Sequence, residues 1–106
     1  MSVSYSAVKL TLTAGSTNYN LATLARAIDA DVPGECRHLV IEADASNAAG
    51  SQVSVGDVNM SGTRYGYQLG PGDSRVYEDA QGLIRLSQIN LRGSTTNLQV
   101  NVEVMR

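Results

Sequence analysis

The feature that most constrains this chain is a run of short alternating segments over residues 53–78, broken by a proline–glycine corner. Val53-Ser54-Val55-Gly56 alternates apolar and small residues, and Tyr65, Tyr67 and Leu69 recur at the same spacing on the next segment. A period of two places one set of side chains on each face of an extended strand. Gly70-Pro71-Gly72-Asp73 follows, where proline presets one backbone angle and glycine accepts the positive φ that a tight turn demands. The stretch therefore reads as strand, turn, strand, tight turn, strand, with Asn59-Met60-Ser61-Gly62 as its first turn. None of its residues looks like a catalyst.

The rest of the chain repeats the theme. Residues 3–12 form a strand candidate in which Val8, Leu10 and Leu12 share one parity and Val3, Tyr5 and Ala7 share the other. That phase slip predicts a bulge, or an N-terminal arm over residues 1–7 that pairs elsewhere. Leu21, Leu24, Ala25 and Ile28 fall at helical spacing, so a short helix is expected over residues 20–29, with Asn20 as N-cap and Pro33-Gly34 beyond its end. A helix this short must lie on a sheet or plug one end of it. Leu39, Ile41 and Ala43 face one way on the next strand, and residues 44–51 read as an exposed hairpin connection.

Residues 83–91 contain a second phase slip near Ser87 and Gln88, which predicts a bulge or a crossing between sheets. Residues 92–97 read as a hairpin loop. Leu98, Val100, Val102 and Val104 then alternate with polar residues in the cleanest half-buried strand of the chain, which belongs in the middle of a sheet. About seven short strands separated by turn signals predict an all-β fold, an antiparallel two-sheet β-sandwich with one short helix. With 106 residues the chain forms one domain, residues 1–106. Its aromatic residues are 5 Tyr, with neither Phe nor Trp, so the core must be aliphatic.

Composition also excludes some function classes. The net charge is −2, and 8 Lys and Arg form no basic stripe. Nucleic-acid binding needs clustered cations that displace counterions, so no nucleic-acid partner is expected. No apolar run is long enough to span a bilayer, no charged-then-apolar leader opens the chain, and no membrane partner is expected; synthesis in a cytoplasm follows. Cys36 is the one cysteine, which rules out an internal disulfide.

Candidate chemistry is sparse. Cys36 and His38 stand two apart, but zinc needs three or four ligands and a thiol nucleophile needs an orienting group, so a small buried thiol beside a strand-end imidazole is the better reading. Asp29 with Asp31, and Asp73 with Glu78 and Asp79, flank turns or a helix end, where carboxylates cap local backbone N–H groups. The glycine turns lack the Gly-Lys-Ser/Thr of a phosphate loop, and Asn59-Met60-Ser61 matches the N-glycosylation sequon at chance level. No catalytic residue, metal site or cofactor is expected. Val3, Tyr5, Arg64, Tyr65 and Tyr67 are the candidate interface residues, because Tyr and Arg anchor protein interfaces.

Val53-Ser54-Val55-Gly56, followed by Tyr65-Gly66-Tyr67-Gln68-Leu69-Gly70-Pro71-Gly72-Asp73-Ser74 and by the strands at 84–91 and 98–104, resembles small structural proteins of tailed bacteriophages. The best-fitting members are capsid decoration (cement) proteins with a jelly-roll-like sandwich. The resemblance covers roughly residues 37–105 and implies a virion protein on the capsid surface. It also implies a homo-oligomer that contacts the major capsid protein and bridges neighbouring capsid subunits. Under it, the N-terminal arm would add a strand to a neighbour's sheet edge. A tail or head-fibre component with the same fold, and a carbohydrate-binding module using Tyr65, Tyr67 and Tyr77, are the competing readings.

Overall fold

The structure, a computed structural model, describes residues 5–81 and 83–106. In chain order the elements are β1 (Tyr5–Leu12), β2 (Asn18–Asn20), α1 (Leu21–Ile28), β3 (Glu35–Cys36), β4 (His38–Ala43), β5 (Val53–Gly56), β6 (Tyr67–Leu69), β7 (Ser74–Glu78) and β8 (Ile84–Arg85). A 3-10 turn (Leu86–Gln88), β9 (Asn90–Gly93) and β10 (Leu98–Met105) complete the chain. The described residues are mostly β, with antiparallel sheets and one α-helix. One four-stranded sheet has the order β1-β10-β4-β7, a second has the order β2-β9-β5-β6, and β3 and β8 form a small separate pair.

The pairing is nested. β1 pairs with β10, β2 with β9, β3 with β8, β4 with β7 and β5 with β6, as in one long hairpin folded at its midpoint. Two further ladders, β10 with β4 and β5 with β9, curl that hairpin onto itself. Val8, Leu10, Ile41, Val100 and Val102 of the first sheet and Val53, Val55 and Leu91 of the second belong to one buried cluster. The fully buried large side chains are all Leu, Ile or Val, as an aromatic-poor sequence requires. Each contributes about 1.5–3 kcal/mol relative to exposure.

β10 occupies the central position that its alternation implies: Leu98, Val100, Val102 and Val104 are buried. β1 departs from expectation. It runs without a bulge from Tyr5 opposite Met105 to Leu12 opposite Leu98, so Tyr5, Ser6 and Ala7 belong to the sheet and not to an arm. The buried face is Ser6, Val8, Leu10 and Leu12, and Tyr5 and Ala7 point outward. Parity is set by three aliphatic residues meeting β10, and a small serine fits the fourth inward place. Residues 1–4, the remainder of the expected arm, lie outside the described residues.

The helix forms where its periodicity places it, with Asn20 accepting a hydrogen bond from the Thr23 N–H. Its first turns carry Leu21 and Ala25 into the core, whereas Ile28 stays 58% exposed. Immediately before it, residues 18–20 are strand, because they pair with β9. The described residues form ten strands, not about seven, since two- and three-residue strands such as β2, β3 and β8 are defined by their partners and leave no periodic trace.

Both expected hairpins are instead crossings. Residues 44–52 lead from β4 in one four-stranded sheet to β5 in the other, and residues 94–97 lead from β9 back to β10. The first crossing is clasped to β10 by Asn47, whose side-chain amide donates to the Gln99 carbonyl at 3.0 Å and accepts from the Gln99 N–H at 2.8 Å. The slip near Ser87 is indeed a crossing: the 3-10 turn carries the chain from the β3–β8 pair into the second sheet. The Gly70–Asp73 corner also changes sheets. Gly72 has a φ of 85°, the left-handed region that glycine enters at little cost. The Gly72 N–H donates to Ala43 O and the Ala43 N–H donates to Asp73 O, which ties the corner to the end of β4.

Candidate functional site

β6 and β7 are the terminal strands of their respective sheets, and the corner at residues 70–73 joins them along one side of the molecule. Cross-strand partners share a face. Tyr67 stands opposite Val55, and Arg75 and Tyr77 stand opposite Ile41 and Leu39, so all three point toward the core side of their sheets. At the edge, however, the core ends. The Arg75 guanidinium carbon lies 4.9 Å from the Tyr67 ring centroid and 5.3 Å from that of Tyr77. One cation between two aromatic rings thus spans the mouth between the sheets, an arrangement that each ring quadrupole favours.

A groove of about 520 Å³ opens beside this cluster, with Arg64, Tyr65, Tyr77 and Gln88 among its walls and Val55 and Gly56 beneath. Gly56 packs closely on Met60: a Cβ there would sit 2.9 Å from the buried Met60 sulfur, so the methionine would have to shift. Arg64 is held by a 3.1 Å ion pair to Asp57. The Asp57 carboxyl lies below the usual range, first because it accepts the Asn59 N–H and then because of Arg64. Tyr65 and Tyr67 remain 43% and 46% exposed.

The structure therefore brings Arg64, Tyr65 and Tyr67 into one region and separates Tyr5 from them. Tyr5 lies on β1, at the opposite edge of the first sheet from β7, and Val3 lies outside the described residues. Arg75 and the stacking role of Tyr77 were missed at the sequence level. Their one local signal is the Arg75-Val76-Tyr77 alternation next to the corner, and the partner ring, Tyr67, comes from the other sheet.

Cys36 is buried in the core, and burial pushes its thiol upward. The His38 ring lies instead near the surface, with Nδ1 3.2 Å from a Glu78 carboxylate oxygen. The turn carboxylates act as expected: Asp29 accepts the Asp31 N–H, Asp73 accepts the Gly70 N–H and Asp79 accepts the Gln81 N–H, each at 3.0 Å. Among the described residues, no group of three or more His, Cys, Asp or Glu side chains has metal-site geometry. No helix among them is long and apolar enough to cross a membrane. Comparison with family models, curated proteins and solved structures finds no match to this chain.

Proposed function

We propose that this chain is a structural virion protein that decorates the outer surface of a tailed-phage capsid as a homo-oligomer and stabilises it by bridging copies of the major capsid protein. On this reading the two four-stranded sheets form a jelly-roll-like sandwich. The observation that carries it is the nested pairing: strand orders β1-β10-β4-β7 and β2-β9-β5-β6 follow from rolling up one long hairpin, and eight-stranded jelly rolls of that kind are common in viral capsid domains. The resemblance of residues 37–105 to decoration proteins supports the same reading. Fold alone leaves function open, so the site must contribute. Exposed Tyr65 and Tyr67 beside Arg64 and Arg75 supply the residue types that anchor protein interfaces. Several modest contacts on one oligomer add up through effective concentration.

Copy number per purified particle, measured by quantitative mass spectrometry against the major capsid protein, tests the proposal. Hundreds of copies support a decoration role, about a dozen move the protein to the tail or head fibres, and none removes the virion reading. The groove walled by Tyr65, Tyr77, Arg64 and Gln88 favours one second reading, a carbohydrate-binding module, because sugars stack on exposed rings and bond to flanking polar groups. Glycan-array binding that disappears in Tyr65→Ala would favour that alternative.

A further inference from the structure

β7 pairs with β4 on one side and, among the described residues, with no strand on the other. Two hydrogen bonds at the ends of the ladder reveal which backbone groups face the open side. The Ala43 N–H donates to Asp73 O, and the Asp79 N–H donates to Arg37 O, each at 2.9 Å. Both bonds continue the register that sets Ile41 opposite Arg75 and Leu39 opposite Tyr77. In an antiparallel ladder, bonding direction alternates from one residue to the next. Arg75 and Tyr77 therefore direct their N–H and C=O groups toward β4, and Ser74, Val76 and Glu78 turn theirs outward. An edge strand with unpaired outward groups is a template for another strand.

We propose that a second copy of this chain pairs here, β7 against β7, antiparallel about a two-fold axis at Val76. This register is self-complementary. Val76 meets Val76 of the partner subunit and Ser74 meets Glu78 of the partner subunit, so every outward backbone group finds a partner. Arg75 falls opposite Tyr77 of the partner subunit, which extends the stacking already present within each copy. A two-fold at Arg75 would set guanidinium against guanidinium, and one at Tyr77 would set Val76 against Glu78 and shorten the ladder. Like charges directly opposed destabilise a sheet, so Arg75 selects the Val76 register. Pairing also covers Val76, which is 48% exposed on the outer face beside Val40. The opposite edge, β1, is the poorer candidate because α1 packs against that strand.

The β7 pairing specifies the homo-oligomer of the reading above and rests on that part of it; no capsid is needed to test it. Analytical ultracentrifugation of the purified chain should show a concentration-dependent dimer. Val76→Lys opposes two ammonium groups at the two-fold and should raise the dissociation constant roughly tenfold or more, with an unchanged circular dichroism spectrum confirming the fold. Val76→Cys should become covalently dimeric with a short bis-maleimide, and Tyr5→Cys on the β1 edge should not; the native Cys36 is buried. A wild-type chain that stays monomeric at hundreds of micromolar, a dimer insensitive to Val76→Lys, or cross-linking through Tyr5→Cys would overturn the pairing. A monomer that still coats particles would refute only the β7 pairing, whereas a β7 dimer absent from particles would refute only the virion reading.

Discussion

The two open sides of this molecule are closed by different means. On the side of β1 and β2, helix α1 packs against both strands and lowers Leu21 and Ala25 into the core. On the side of β6 and β7, the closure is the Tyr67–Arg75–Tyr77 stack, half-exposed and charged. On the β1 and β2 side the helix adds aliphatic side chains to the core. An edge gated by an inward-pointing charge is protected from indiscriminate pairing yet keeps its backbone groups available. On the proposed reading the helix side serves stability and the stacked side association, and the division can be tested by mutation.

The largest effect is expected at Leu21, fully buried at the start of α1. Leu21→Ala should cost about 2–5 kcal/mol, because the cavity adds to the lost transfer energy; urea unfolding measures it. Asn20→Ala should cost about 1–2 kcal/mol, since Asn20 caps α1 and also donates to the Ser87 carbonyl at 2.9 Å. On the other side, Arg75→Met keeps the aliphatic stem and removes the cation. It should change the same unfolding free energy by no more than about 1 kcal/mol, and a loss as large as that of Leu21→Ala would break the comparison.

The smallest effect is an acid dependence that both sides share. Lys9 of β1 lies 2.8 Å from Asp44 and, with Ser46, holds that carboxyl at about 2, below its ordinary 3.8. Asp57, beside the groove, is also depressed. A carboxylate depressed on folding contributes stability above its unfolded pKa and loses that contribution as pH falls through the folded one. Stability should therefore decline from pH 3.8 toward about 2, with a shallower decline in Asp44→Asn. Asp57 is exposed and Asp44 half-buried, so added salt should weaken the dependence, most of all at Asp57.

Several parts of this architecture were legible because their causes are local. Alternation in residues 98–104 placed a central strand, Asn20 and the spacing of Leu21 and Ala25 placed a capped helix, and the absence of Phe and Trp required an aliphatic core. The slip at Ser87 marked a bulge or a sheet crossing, and the 3-10 turn there is a crossing. Other local patterns misled: Tyr5 and Ala7 suggested a slipped arm, but pairing with β10 overrode side-chain polarity and placed Ser6 inside. Residues 44–51 and 92–97 look like hairpin loops since turn chemistry says where a chain bends, not which sheet it enters.

The sequence by itself determined the longer strands, the one helix and the aliphatic make-up of the core. These follow from φ/ψ preference and hydrophobic period, each read within a few residues. Only the tertiary structure decided the partners: the nesting of β1 with β10 through β5 with β6, the three-residue strands, and the meeting of Tyr67 with Arg75 across two sheets. Such contacts bring together residues far apart in the chain, and their energies depend on what lies opposite. A linear pattern carries the faces of a strand but not its neighbour.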